Sequence, residues 1–340
     1  MEYRRDNQFE FRNHARYVGR LDWRDSNGPL LSWAGGSIAV RFRGQAITLR
    51  MIAKEREDSW VDLIVDGEVH RTLHIDALHE STTLVIPQAG NEPHILEVYK
   101  RTEAMFGTVQ FLGFELPEGG RFMTPPPRRE HRLEIIGDSI SAGSGNEGKD
   151  GDPNIAAHEN NRLAYGTLAA EALNAELHTT AVSGIGLAVN YGDERVNTMP
   201  EQYGRLNPLD PETKWDFGQW IPEVVLINLG TNDNNYAVDR DEFVAKYKRF
   251  AGELRTRYPD ALVFMTLGPF ILSPVKEHIL ASYEEIRAAD PKVRCFLFDP
   301  ADVERDSLGE TGHPNVITHR LMAEQLIRVL QRDAGWQQRE

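Results

Sequence analysis

The chain of 340 residues contains one cysteine, Cys295, so no intrachain disulfide can form. Cys295 lies in Val293-Arg294-Cys295-Phe296-Leu297-Phe298, which reads as a buried strand, and core packing accounts for it better than reactivity. No apolar run approaches the length of a membrane span, so no membrane partner is expected. The N-terminus, Met1-Glu2-Tyr3-Arg4-Arg5-Asp6, lacks the apolar h-region of a leader. The expectation is a cytoplasmic protein, or a secreted one whose leader has been removed. Basic residues are in deficit, with 38 Lys and Arg against 52 Asp and Glu and a formal net charge of −14. That balance, without any basic stripe, argues against a nucleic-acid partner. Metal-ligand spacing is missing as well. His74, His79, His158, His278 and His319 have no carboxylate or cysteine at the separations that chelation needs, so solvated or structural roles are expected, with no metal and no cofactor.

Internal repeats and low-complexity segments are also absent, and what remains is a chain of two characters. Hydrophobic residues make up 40% of it, enough for two cores. From about residue 36 to 117 the pattern alternates with period two. Ile38, Val40 and Phe42 share one face, then Ile47, Leu49 and Met51, then Val61, Leu63 and Val65. Asp66-Gly67 marks a hairpin, and further strands are expected at Thr82–Ile86, Ile95–Lys100 and Val109–Leu116. This predicts an all-β, jelly-roll-like sandwich over residues 1–117. Pro117-Glu118-Gly119-Gly120 and the triplet Pro125-Pro126-Pro127 break the pattern, so residues 118–131 read as a stiff connector.

Residues 132–340 change to strand–helix alternation, which predicts a parallel sheet covered on both faces. The expected strands are Leu133–Ile136, His178–Val182, Val224–Leu229, Leu262–Leu267 and Arg294–Phe298. Amphipathic segments lie near Leu163–Leu173, Glu242–Tyr258 and Glu277–Ala288, with a last helix at about Ile317–Leu330. Five strands with crossover helices make a three-layer α/β/α sandwich.

Chemistry concentrates where the strands end. Gly137-Asp138-Ser139 follows the apolar Leu133–Ile136 run, and open α/β sheets place their sites at the carboxyl ends of the strands. Ser183-Gly184, Gly230-Thr231-Asn232-Asp233 and Glu310-Thr311-Gly312-His313-Pro314-Asn315 follow in order. A serine hydroxyl is a poor nucleophile without a base and a site for the oxyanion. His313, in a turn before the final helix, is the best-placed imidazole. The Asn232 carboxamide and the bare backbone of Gly184 are candidate oxyanion donors with the Ser139 N–H. Tyr236 and Phe270, near the same strand ends, are candidate substrate contacts.

Gly143-Ser144-Gly145-Asn146-Glu147-Gly148 matches G-x-G-x-x-G in letters, but it starts several residues past the strand. Glu147, Asp150 and Asp152 crowd it with negative charge that would repel a pyrophosphate. Gly184-Ile185-Gly186 is better placed, yet Val189 stands where the third glycine belongs. Nucleotide binding is not expected.

Ser139, Gly184, Asn232 and His313 resemble, in order, the four blocks of the SGNH (GDSL-type) hydrolase superfamily. The whole chain further resembles the two-domain acetylesterases of carbohydrate esterase family 2. That likeness runs from Gly19-Arg20 to Phe114 and through the Gly137–Glu147 stretch, Trp215-Asp216-Phe217 and Asn228–Asp233. The resemblance implies the SGNH fold, with Ser139 as nucleophile, His313 as general base and Ser139 N–H, Gly184 N–H and the Asn232 side chain as the oxyanion hole. It also implies metal-independent removal of O-acetyl groups from sugars or oligosaccharides. One position departs from it: superfamily members usually carry aspartate three residues before the histidine, and here Glu310 stands there. Either Glu310 orients the imidazole, completing a triad, or a backbone carbonyl does, leaving a Ser–His dyad. A general short-chain carboxylesterase, arylesterase, thioesterase or sugar acyltransferase would use the same residues. A non-catalytic carbohydrate-binding protein is the alternative of another class.

Overall fold

The computed structural model describes residues 10–76, 81–85 and 92–338. Met1–Asp6, His79 and Ile86, on which the sequence reading touched, lie outside the described residues. The chain divides into two compact units, residues 1–128 and 129–340.

In the first unit the strands are β1 (Ala15–Val18), β2 (Leu21–Asp22), β3 (Leu30–Leu31), β4 (Ser37–Arg43), β5 (Ala46–Lys54), β6 (Ser59–Val65), β7 (Glu68–Ile75), β8 (Ser81–Val85), β9 (His94–Lys100), β10 (Thr108–Glu115) and β11 (Arg121–Phe122). One sheet runs β1-β4-β9-β6-β7 with β11 added on β4, the other β2-β3-β10-β5-β8. Every pairing is antiparallel. Alternation sets which side chains meet. Ile38, Val40 and Phe42 of one sheet share a core with Leu49, Met51, Phe111 and Phe114 of the other. The result is an all-β sandwich. Asp66 and Gly67 turn β6 into β7, with φ values of 52° and 94°, as a primed hairpin turn requires. Residues 121–122, inside the stretch expected as a connector, pair with Phe42 and Arg43 and extend this unit. Trp33 is buried here, whereas Trp23 is exposed with its ring edge-to-face against Tyr17.

The second unit holds β12 (His131–Gly137), β13 (Ala175–Ala181), β14 (Val224–Asn228), β15 (Leu262–Thr266) and β16 (Val293–Cys295). All four pairings are parallel, in the order β13-β12-β14-β15-β16. The helices are α1 (Ser139–Ala142), α2 (Tyr165–Ala172), α3 (Met199–Gln202), α4 (Arg240–Arg257), α5 (Val275–Arg287), α6 (Val303–Asp306) and α7 (Val316–Ala334). Successive strand residues belong to different cores. Leu133 and Ile135, Val224 and Leu226, and Phe264 pack with α2 and α7. Ile136, Val225 and Ile227, and Val263 and Met265 pack with α4 and α5. A strand apolar on both faces needs a helical layer on each, and the three-layer α/β/α sandwich follows. Because β12 lies between β13 and β14, the strand order reverses at its carboxyl end. That is the switch point where such sheets leave a crevice.

Gly137 ends β12 at this point. A Cβ there would stand 2.1 Å from Ser141 Oγ and 3.2 Å from the Asn228 carbonyl, so only glycine lets the chain turn at once into α1. Gly137→Ala is expected to destabilise the protein by about 1–3 kcal/mol, the usual range for overpacking. Denaturant unfolding measures this, and an unchanged midpoint would show that Ser141 can move aside.

Candidate active site

Ser139 is the first residue of α1. Asp138 caps that helix, its side chain accepting the Ile140 N–H at 3.0 Å. The Ser139 N–H opens the helix and has no carbonyl partner within it. The Ser141 hydroxyl, two residues on, is 2.8 Å from the buried hydroxyl of Tyr165, the first residue of α2, which ties α1 to α2. Ser139 itself is half-buried, and its Oγ lies 2.9 Å from His313 Nε2.

His313 is held there by backbone. The loop at 143–148, whose glycines imitate a dinucleotide motif, docks on the loop that carries the histidine. Glu310 N–H donates to the Gly145 carbonyl at 2.9 Å, and Val316 N–H to that of Asn146 at 3.2 Å. Gly145 has φ +62°, and a Cβ on it would come within 2.6 Å of Glu310 Cβ. These glycines bring two chain segments together, and the loop's function is closure. Past the histidine, Asn315 caps α7 by accepting the N–H groups of Ile317 and Thr318.

The orienting group on His313 is a carbonyl. His313 Nδ1 lies 3.0 Å from the Glu310 backbone oxygen and 3.0 Å from Thr311 Oγ1. A carbonyl only accepts, so it fixes the proton on Nδ1 and leaves Nε2 free to take one from Ser139. Thr311 adopts φ +50° to make this turn, an uncommon conformation for a β-branched residue. The Glu310 carboxylate points elsewhere. It is 1% exposed, accepts the Ile155 N–H at 2.9 Å and meets His158 Nδ1 at 2.5 Å. Of the two arrangements left open by the sequence, the geometry is that of a dyad. Burial lowers the pKa of His313 below the ordinary histidine value, while the Glu310 carbonyl and charge pull it back only in part.

Two further arms converge on this edge of the sheet. Asn232 is buried after β14, and its Nδ2 donates one hydrogen to the Ile185 carbonyl at 2.9 Å, leaving a second on the same nitrogen. Gly184 follows β13 with φ +79°. The chain beyond it is pinned by Asp233, whose carboxylate accepts the N–H groups of Leu187, Ala188 and Val189 at 2.9, 2.6 and 2.9 Å. Tyr191 donates its N–H to the Gly184 carbonyl at 2.7 Å, yet the residue is 68% exposed. Tyr236 stands edge-to-face with it at 6.5 Å and accepts the Gly192 N–H through its hydroxyl. Phe270 is half-buried against the core that holds Tyr165 and Phe298. Among the described residues, no three His, Cys, Asp or Glu side chains form a group that could hold a metal, and no helix is long and apolar enough to cross a membrane.

A carbohydrate esterase 2 N-terminal family model matches residues 17–126, and the GDSL-like lipase/acylhydrolase model matches residues 135–321. A family two carbohydrate esterase from Clostridium thermocellum, solved in complex with cellohexaose, matches with a TM-score of 0.88 and 33% identity. The match covers 95% of this chain and 100% of that one. The chain belongs to carbohydrate esterase family 2. Within that family it is 35% identical over 327 residues to the cellulase/esterase CelE of Acetivibrio thermocellus, covering 94% of this chain and 39% of CelE. The chain thus spans about two fifths of that relative's length. An acetylxylan esterase/glucomannan deacetylase of Cellvibrio japonicus is 24% identical, covering 95% of this chain and 90% of that protein.

Three residues of this site were not singled out from sequence. Asp233 stood in view beside Asn232, but nothing local reveals that it binds three amides. Tyr191 had only its aromatic type to mark it. His158 was set aside because no carboxylate or cysteine stands at metal-ligand spacing from it, and its partner lies 152 positions along the chain.

Two expectations follow from the imidazole. General-base action needs neutral His313, so the acid limb of kcat/KM against pH should fall at a pKa below 6.5, and activity should persist to more acidic pH than an unperturbed histidine allows. A limb at or above 6.5 would contradict the burial argument. Glu310→Gln should lower kcat/KM by no more than about a hundredfold, because the carbonyl on Nδ1 survives, whereas removing a true orienting carboxylate costs about 10⁴. Steady-state kinetics on an aryl acetate separates the two.

Proposed function

We propose that this chain is a serine esterase that removes O-acetyl groups from carbohydrates through an acetyl-enzyme intermediate. The observation that carries the reading is the 2.9 Å contact between Ser139 Oγ and His313 Nε2, with the opposite ring nitrogen on the Glu310 carbonyl. Ser139 Oγ attacks the acetyl carbonyl carbon as His313 Nε2 takes its proton. The developing oxyanion is met by the N–H groups of Ser139 and Gly184 and by the uncommitted N–H of Asn232. On collapse, the C–O bond to the sugar breaks and the sugar oxygen recovers the proton from His313. Water, deprotonated by the same imidazole, then releases acetate and restores the Ser139 hydroxyl.

The substrate class proposed is acetylated xylo-, gluco- or manno-oligosaccharides. It is supported by the family relationship, by the cellohexaose bound to the Clostridium thermocellum relative, and by the activities for which the Cellvibrio japonicus relative is named. Tyr191 and Tyr236 offer the flat apolar faces on which pyranose rings stack, beside the Gly184 arm. Phe270 is the further acyl contact.

Acetate release from acetylated xylo-, gluco- and manno-oligosaccharides, set beside aryl acetate and aryl butyrate hydrolysis, tests this reading. Ser139→Ala should abolish both turnover and the burst of nitrophenolate, and Asn232→Ala should reduce turnover by about 10²–10³. Equal rates on butyrate and acetate esters would point instead to a general short-chain carboxylesterase. Oligosaccharide binding with no Ser139-dependent burst would leave only a carbohydrate-binding protein.

A further inference from the structure

The Glu310 carboxylate raises a question that the dyad leaves unanswered. A charged group 1% exposed is costly to bury unless it is fully paired, and this one does not touch the imidazole that the superfamily pattern would assign to it. Its partners are two. Ile155 N–H donates to one oxygen at 2.9 Å, and His158 Nδ1 donates to the other at 2.5 Å. Both partners belong to the short segment that ends in the turn Ala156–His158, remote in sequence from the catalytic histidine. The 143–148 loop closes the pair from the other side. A Cβ on Gly148 would fall 2.9 Å from His158 Nδ1 and 3.0 Å from Glu310 Oε2, so that glycine leaves room for the contact.

The main chain of the same residue performs the orienting task. Glu310 N–H is tied to the Gly145 carbonyl, and the Glu310 carbonyl receives both His313 Nδ1 at 3.0 Å and His313 N–H at 3.1 Å. Side chain and carbonyl are two ends of one rigid unit, because the Cα between them is fixed by the docked amide. The neighbouring Thr311 and Gly312 both have positive φ, 50° and 78°, so the turn that aims the carbonyl is not one the chain adopts unaided.

We infer that His158 is a positioning residue for the esterase reaction: through the Glu310 carboxylate it holds the Glu310 carbonyl at the place that fixes the His313 tautomer and its approach to Ser139. The inference rests on the esterase reading for its kinetic consequences, but its structural consequence is independent of any substrate. The carboxylate expected on the imidazole has been moved one bond network away, where it locks the carbonyl that replaced it.

The test compares His158→Leu with His158→Asn in the full chain, each checked for folding by circular dichroism and thermal unfolding. The two side chains share a shape, and only Asn carries a nitrogen donor where the imidazole Nδ1 stood. His158→Leu is expected to lower kcat on aryl acetate by between about tenfold and a hundredfold, with KM changed less than about twofold, since misplacing a reacting group by 1 Å costs about that much. His158→Asn should recover most of the loss. If His158→Leu does not fold, His158→Ala, which admits water beside the carboxylate, takes its place. A wild-type kcat in the donor-free variant, an equal loss in both variants, or a loss confined to KM would overturn the inference.

A second readout needs no turnover. The low-field proton resonance of His313 Nδ1–H should shift or broaden in the donor-free variant and return in His158→Asn. An unchanged resonance overturns the inference even if no ester proves to be a substrate. Conversely, a wild-type protein without Ser139-dependent turnover refutes the esterase reading while the resonance still decides the role of His158.

Discussion

The reactive geometry depends on two chain segments being laid against each other by backbone hydrogen bonds. The loop after Ser139, at 143–148, supplies the Gly145 and Asn146 carbonyls, and the loop before the last helix supplies the Glu310 and Val316 N–H groups. Without this docking, Ser139 at position one of α1 and His313 at the entrance to α7 would be joined only through the packing of α7 on α2 and the sheet. Side-chain packing fixes a helix axis well but a loop tip poorly. Two amide–carbonyl bonds a few residues either side of the imidazole reduce that freedom to the scale of a hydrogen bond, which is what proton transfer from a hydroxyl requires. The glycine content of the first loop follows from the same constraint. At Gly145 the two segments approach so closely that a side chain would occupy the space of Glu310 Cβ.

Orientation by a carbonyl changes the electrostatics of the base. A carboxylate on Nδ1 would stabilise the imidazolium through a full charge and hold its pKa up; a peptide carbonyl offers only a dipole. Burial therefore prevails, and the pKa of His313 is lowered. As the proposed base, His313 stays neutral and available, with weaker stabilisation once it has taken the proton. In the proposed reaction, the sugar leaving group needs the proton returned at once, which suits a weaker base. His319, in the first turn of α7, has a different role. Its Nδ1 accepts the Tyr165 N–H, and burial together with the nearby His313 pushes its pKa down to about 3, so it is a neutral structural ring tying α7 to α2.

Much of this was legible in the residues, and the parts that were not share a cause. The five core strands and four long helices announce themselves by periodicity, because a strand apolar on both faces and a helix apolar on one leave different spacings. The Asp66-Gly67 turn was readable because few residue pairs tolerate two positive φ values. Strands of two residues, β2, β3 and β11, and helices of four, α1, α3 and α6, carry too few residues to show a period. Ser139, Gly184, Asn232 and His313 each close a motif at a strand or turn, so their residue types were visible one by one. The partner of Glu310 was not. Nothing local distinguishes His158 from any other half-buried histidine, and the hydrogen bond that gives it meaning spans 152 positions. What the Gly143–Gly148 glycines do instead was hidden for the same reason: they admit a segment that sequence order places far away.

The Asn232 side of the crevice shows a parallel economy. Asp233 adjoins Asn232 in the chain, yet its carboxylate binds the amides of Leu187, Ala188 and Val189, in the loop that follows Gly184. One dipeptide therefore fixes both arms, Asn232 as a proposed donor and Asp233 as a strut to the loop after Gly184. Asn232 strengthens the link through its bond to the Ile185 carbonyl. Burial raises the pKa of the Asp233 carboxyl, while the three amides oppose that shift by solvating its charged form. A carboxylate surrounded by amide N–H groups is a rigid junction, because any displacement leaves a buried charge or a buried donor unpaired. The spacing of the two arms is thereby set before substrate arrives. Donors that need no reorganisation as charge develops are the ones that lower a barrier most.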